Sequence, residues 1–460
     1  MLFTTVAALS AALLFFVWLG LRARLVNGGL DDYVTARNSQ SAQTLGMSFL
    51  ASGMGGWILF APPEVGALVG PVALAGYAVG AALPFIVFAF CGPAIRRLLP
   101  EGRSIGEFAQ ACYGTGVRRW VSVISLLYML CFLTAELTAI GAITVILSDL
   151  NGNIVVVAVA VTTLVYTAWG GLRASLMTDR WQAWLLIALL ALVTFVALKR
   201  LPETTSTNAL PSISLASSLS VALTLVIAVT AANVFHQGYW QRIWSAQDSS
   251  ALGRGALLGG IITVVVVAVV GGLGMAAIMI GVDTGTPPIP FFALLRDAPG
   301  WLAIPALVLA ITLVASSVDT LQNAIASLTV TEKRGITLNQ ARWITVALMA
   351  PVVLIAMQGI SVLRLFLIAD LLCATAVVPV LLGLWSRMTT SAAVWGGAAG
   401  LLGAVAPGWF ASGSFSAGVL GASFPGAIPT LAPFAGALIA STLVSVAVAL
   451  ISSGQNRQKN

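Results

Sequence analysis

The sequence predicts an all-α polytopic membrane protein that crosses the bilayer about thirteen times, at about 20 residues per crossing. Hydrophobic residues make up 59% of the 460-residue chain and charged residues only 8%, whereas a soluble domain carries roughly 25% charged residues. Mean hydropathy is +1.00, and apolar runs of spanning length recur from end to end with short polar connections. The net charge of +7 is not a nucleic-acid signature, because the cations are partitioned by topology. Lys199, Arg200, Arg296 and Arg364 fall on one side of the spans and every other Lys and Arg on the other.

The runs lie at 3–21, 43–68, 73–95, 120–148, 153–171, 181–198 and 216–236, and continue at 255–282, 300–330, 343–358, 361–385, 389–411 and 431–452. The first has no basic residue before it and Arg22 after it, the reverse of a cleaved signal peptide, so it reads as a retained peripheral helix, 1–22. The core is 43–385, followed by two C-terminal helices in 389–452 and a short tail, 453–460. The crowding of Lys and Arg on one side puts the N-terminus outside and the C-terminus in the cytoplasm of the plasma (inner) membrane. The connections 22–42, 96–119, 236–254 and 411–430 are too short for an independent core. Cys91, Cys112, Cys131 and Cys373 have no metal-site spacing, and a single histidine, His236, excludes a histidine cluster.

With this topology the second and seventh spans run in opposite directions, so spans 2–6 and 7–11 are candidate inverted repeats. Each set opens on a span with small or polar residues at mid-depth: Ala51-Ser52-Gly53-Met54-Gly55-Gly56-Trp57 in one and Thr230-Ala231-Ala232-Asn233 in the other. Irregular backbone at membrane depth is tolerated only where it is buried or lines a cavity. Two broken helices meeting at a midplane site are a device of secondary transporters.

In the ninth span Ser316, Asp319 or Thr320, Asn323 and Ser327 form a polar stripe at helical spacing. Interhelical hydrogen bonding alone would be worth about 0.6 kcal/mol per contact. The adjacent serines suggest more, since a hydroxyl pair with backbone carbonyls gives a hard cation its oxygens without much fixed charge. The oxygens on offer are the carbonyls of Ala51 and Met54 at the glycine break, the Leu313 carbonyl, and the hydroxyls of Ser316 and Ser317.

From Tyr166 to Gln182 the chain reads YTAWGGLRASLMTDRWQ, which resembles the signature of the sodium/solute symporter family, home of bacterial proline and sodium/sugar carriers. DDYVTAR at 31–37, HQGYWQR at 236–242, the glycine break and the serine pair extend the resemblance over about 30–385. It implies a leucine-transporter-like fold, sodium coupling and alternating access. Sodium would bind at Ala51, Met54, Leu313, Ser316 and Ser317. The family's acid beyond the double glycine falls on Asp179, expected at the cytoplasmic mouth of the sixth span as a way-station for the departing ion, or paired with Arg173 or Arg180. The chain departs from the family at Gly53, where proline carriers have aspartate, and at Glu136, where glutamine is common.

An intramembrane acid costs roughly 2.5–3.5 kcal/mol on insertion scales and suggests function by default. Glu136 is open to structural pairing, to a cationic part of the solute, or to proton coupling. Asp319 and Asp370 raise the same question, with Asp370 expected to face Arg364. Glu64, after Pro62-Pro63, reads as an exposed acid at the end of the second span. The candidate solute contacts are Ser52, Trp57, Glu136, Asn233, Gln237, Tyr239, Asp319 and Asn323, with His236 at the cytoplasmic end of the seventh span. The expected function is sodium-coupled import of a small polar organic solute such as an amino acid, a urea-like amide or a monocarboxylate. Sodium serves as coupling ion, there is no organic cofactor, and membrane lipid surrounds the protein. The alternatives are a proton-coupled permease using Glu136 or Asp319, and a solute-sensing receptor. No Walker-type loop calls for ATP, and no His-Glu-x-x-His helix or nucleophile–base pair suggests an enzyme.

Overall fold

The apolar runs become helices in the computed structural model, which describes residues 2–23, 30–200, 213–284, 289–296, 298–332, 336–359, 362–423 and 430–457. In chain order they are α1 (Leu2–Leu21), α2 (Leu30–Thr35), α3 (Ala42–Gly53), α4 (Ala61–Leu68), α5 (Pro71–Leu98), α6 (Ile105–Tyr113), α7 (Thr115–Leu147), α8 (Gly152–Arg200) and α9 (Leu215–Val234). There follow α10 (Gln237–Ser245), α11 (Ser249–Ile280), α12 (Pro290–Ala293), α13 (Gly300–Glu332), α14 (Leu338–Ala356), α15 (Val362–Leu381), α16 (Thr390–Ser412), α17 (Phe415–Ser423) and α18 (Leu431–Arg457). A 3-10 turn at Gly56–Leu59 lies between α3 and α4. Caps fix several starts: Asp248 accepts the Ala251 amide of α11 at 2.7 Å, and Thr337 and Gln340 form a reciprocal box on α14.

Among the described residues eleven helices are long and apolar enough to cross a membrane, and α3 with Gly56–Leu68, bent by 63°, makes a twelfth candidate. As one straight rod, the 49 residues of α8 would reach about 73 Å, more than twice a hydrocarbon core of about 30 Å. The rod breaks at Gly171 (φ 57°, ψ −142°). A side chain there would meet the left-handed penalty and strike the Tyr33 carbonyl. The runs 153–171 and 181–198 are thus two arms of α8, joined with no loop between them.

Helix α13 runs through the middle of the bundle, buried from Ala306 to Leu328 on most positions and packed against α7 and α8. Helix α11 packs on α3, α4 and α5, while α16 and α18 pair with each other beside α15. Helix α1 lies on α8, where Phe16 and Leu19 cluster with Tyr166 and Ala174, and it also touches α13. Large apolar side chains such as Phe90, Trp301, Trp343 and Phe410 face outward, the surface a bilayer would cover.

Three local expectations need correction. Pro62 and Pro63 open α4 instead of ending the span, and Glu64 is partly buried. The stretch expected as a connection at 236–254 contains α10, whose nine residues are all buried. Asp179 sits inside α8 with 1% exposure, not at an open mouth. The side chains of Arg180, Arg200 and Arg364 lie outside the described residues, so the proposed pairs Asp179–Arg180 and Asp370–Arg364 fall there too.

Candidate functional site

The glycines of the second span end α3 at Gly53, where the indole Nε1 of Trp57 donates to the Gly53 carbonyl at 2.9 Å and bridges the gap. Beyond the break the chain restarts with free amides, and a carboxylate is the natural partner for such an N-terminus. Glu136 on α7 supplies it, accepting from Gly56 N at 2.6 Å and Trp57 N at 3.4 Å. The carbonyls of Ala51 and Met54 receive no hydrogen bond from any described residue.

Helix α13 packs against both sides of this break. There the Ser317 hydroxyl is buried and has no hydrogen-bond partner, a condition that costs about 1–3 kcal/mol. A Cβ at Gly55 would collide with both the Ser317 hydroxyl and the Glu136 carboxylate, so only glycine allows the approach. Free carbonyls, an orphan hydroxyl and a nearby carboxylate are the oxygen types a hard cation takes. Ser316 donates to Asp179 Oδ1 at 3.1 Å, which leaves its oxygen lone pairs available. Leu313 contributes a helical carbonyl one turn before Ser317. Among the described residues no cluster of His, Cys, Asp and Glu could hold a transition metal.

The second break separates α9 from α10 at His236 (φ −72°, ψ 100°). Ser125 holds the turn by donating to the Phe235 carbonyl at 2.7 Å. His236 is buried here, stacked on Tyr239 with centroids 4.5 Å apart. It lies two residues beyond the end of α9.

A cavity of about 30 Å³ touches both breaks, reached by Trp57 from one and by Ala232 and Asn233 from the other. That is the space of one water. Its wall is aromatic: Trp57 stacks on Tyr77 at 5.7 Å, Phe132 meets Phe366 at 5.0 Å, and Tyr128 lies 5.8 Å from Phe132. Asp370 on α15 completes the lining. It is 6% exposed, and no hydrogen bond or ion pair reaches it from any described residue.

Beside α13 a denser polar network joins the signature stretches. Asp319 accepts from Tyr166 and Ser175 at 2.7 Å each and from Thr178 at 3.1 Å. Asp179 pairs with Arg242 at 3.1 Å and accepts from Ser48 at 2.6 Å. Arg173 pairs with Asp32 at 2.7 Å, Tyr33 donates to the Thr167 carbonyl at 3.1 Å, and Gln241 donates to the Val34 carbonyl at 2.6 Å. The segments 31–37, 166–182 and 236–242 therefore lock to one another around the Gly171 kink.

No protein-family model matches the chain. It is 28% identical to the spermidine transporter DUR31 of Candida albicans over 364 residues, which is 77% of this chain and 69% of that protein. A Na+-coupled sialic acid symporter, solved substrate-bound and outward-open, superposes with a TM-score of 0.73 at 16% identity, covering 96% of this chain and 97% of that one. Mhp1, a nucleobase-cation-symport-1 family transporter solved closed with bromovinylhydantoin, gives 0.63 at 16% identity over 94% and 97%. The fold is leucine-transporter-like.

Within that fold the anticipated solute residues separate. Trp57 and Asn233 line the cavity. The other six are not among its lining residues. The Ser52 hydroxyl donates to the Ser48 carbonyl of its own helix, and Glu136 caps the first break. Gln237 accepts from Ile105 N at 3.0 Å and donates to the Arg103 carbonyl at 2.7 Å, tying α10 to the start of α6. Tyr239 packs among Phe49, Phe85 and Phe88. Asp319 sits in its hydroxyl cage, and Asn323 donates to the Gly171 carbonyl at 3.1 Å. Sequence reasoning missed the Asp179–Arg242 pair and the aromatic enclosure of Asp370. Asp370 did carry one signal, an acid inside an apolar run.

Proposed function

We propose that this chain is a sodium-coupled secondary transporter of the sodium/solute symporter family that imports a small organic solute by alternating access. The observation that carries the reading is the buried, unpartnered Ser317 hydroxyl beside a helix break with free Ala51 and Met54 carbonyls. Sodium is cargo in this scheme, held by Ala51, Met54, Leu313, Ser316 and Ser317 and released down its gradient. Solute occupies the cavity that touches both breaks. Its present size admits one water, so the walls must part for loading, as alternating access requires.

Each charge crossing contributes about 2.3 kcal/mol per 100 mV, enough for roughly fifty-fold accumulation before the sodium gradient is counted. Asp179 serves the exit path only when Arg242 releases it. The same reading takes α3 to α15 as two inverted five-span repeats in a thirteen-span chain, the N-terminus outside the plasma membrane. The names of similar proteins lend support: one is a spermidine transporter and one a Na+-coupled symporter. Proton coupling through Glu136 or Asp319 has less support, because both carboxylates are already engaged by protein donors.

The test is uptake into reconstituted vesicles of a radiolabelled panel of amines, amides and amino acids under an inward sodium gradient. Uptake of one class that collapses with potassium in place of sodium, and in Ser317→Ala, is expected. Uptake that follows a proton gradient equally well without sodium would contradict the proposal.

A further inference from the structure

Four buried carboxylates lie within the helices around the two breaks, and three are engaged; Glu64 on α4 is only partly buried. Glu136 holds two amides, Asp179 a guanidinium and two serines, and Asp319 three hydroxyls. Asp370 alone among these has no described partner, although it is more than nine-tenths buried and stands on a helix that qualifies as a span. An isolated buried charge is costly, and in a membrane protein such a group marks a functional site whose partner should be named. No described side chain provides that partner, and the cavity Asp370 lines gives an incoming one a place to stand.

The wall indicates what enters. Trp57, Tyr77, Tyr128, Phe132 and Phe366 come together around or beside the carboxylate. Aromatic faces attract cations, most strongly when desolvated. Leu225 and Val229 add an aliphatic surface suited to methylene groups. An anionic solute would meet the Asp370 charge directly, and a neutral one would leave it uncompensated. The cavity is small, with room for a water or an ammonium head.

We propose that the transported solute is an organic ammonium whose charge is held by Asp370 inside this aromatic enclosure. The inference deepens the transport reading and rests on it. It also removes monocarboxylates from the candidate solutes and moves the cation-binding role once open to Glu136 onto Asp370.

The test uses purified full-length protein and reads the melting temperature, first in sodium against potassium and then with n-butylammonium, 1,4-diaminobutane, 1-butanol or butyrate added at millimolar concentration. A ligand that binds only the folded state raises it. The two amines are expected to stabilise the wild type, and 1-butanol and butyrate to have no effect. Asp370→Asn should weaken the apparent amine affinity by about tenfold or more while keeping the sodium response. Equal stabilisation by 1-butanol or butyrate, no stabilisation by either amine, or an amine response unchanged in Asp370→Asn would each overturn the proposal. If Asp370→Asn does not fold, the wild-type panel decides the solute class, and Trp57→Leu replaces it as the variant expected to weaken the amine response. A lost amine response with the sodium shift intact defeats the solute class alone. A missing sodium shift with the amine response intact defeats the coupling reading alone.

Discussion

Asp319 and Asp370 are both carboxylates buried in long apolar helices, but they are treated in opposite ways. Asp319 is surrounded by Tyr166, Ser175 and Thr178, each within hydrogen-bond distance. Asp370 faces aromatic rings and a small void. The first belongs to a network that closes on itself, through Asp179, Arg242, Ser48 and the α8 kink. The second is left open, as is the Ser317 hydroxyl at the other side of Trp57's helix break. In a low-dielectric interior a satisfied polar group fixes structure, whereas an unsatisfied one beside a helix break or a cavity is a candidate place for something that comes and goes.

The comparison predicts opposite signs for mutations in the two regions. Arg242→Ala leaves the Asp179 charge buried and unpaired, so it should destabilise the protein by about 3–5 kcal/mol. Replacing both partners, Arg242→Met with Asp179→Leu, should recover most of that loss. Denaturation in matched detergent would check it, and a harmless Arg242→Ala would break the comparison at its strongest point. Asp319→Ala takes the acceptor from the Tyr166 hydroxyl, while Ser175 and Thr178 keep other partners, and should cost about 1–3 kcal/mol, read the same way. Tyr166→Phe removes one of those bonds and should cost about 1 kcal/mol. In the open region the sign reverses. Without solute, Asp370→Asn should melt no lower than the wild type and up to about 1 kcal/mol more stable, the usual exchange of stability for function at a site. A clear loss of stability in Asp370→Asn would mean that the carboxylate has a structural partner after all.

Much of this was legible in the sequence. The glycine break at 53–56 announced itself because Gly55-Gly56 sits where a membrane helix should be plainest, and the 166–182 signature led to the fold. What could not be read was which polar residues answer one another. The stretch 172–180 looks like a loop because it is polar, yet Ser175, Thr178 and Asp179 are helical and buried, each matched by a partner far away in sequence. The same holds for α10, where Gln237, Gln241 and Arg242 suggested a connection. Hydropathy measures the cost of a polar group alone and cannot register the donor that cancels it. For the same reason Glu136 and Asp370 looked equivalent. Only the fold brings the Gly56 amide to one of them and Trp57, Tyr77 and Phe366 to the surroundings of the other.

Sodium binding by the unsatisfied oxygens at the first break underlies the whole transport scheme. The most direct measurement is the melting temperature of the purified protein in sodium against potassium at equal ionic strength, for the wild type and Ser317→Ala. A sodium-specific rise in the wild type that Ser317→Ala abolishes is expected, with the variant melting no lower than the wild type in potassium. A wild type that melts identically in the two salts, or a variant that keeps the full sodium shift, would contradict it.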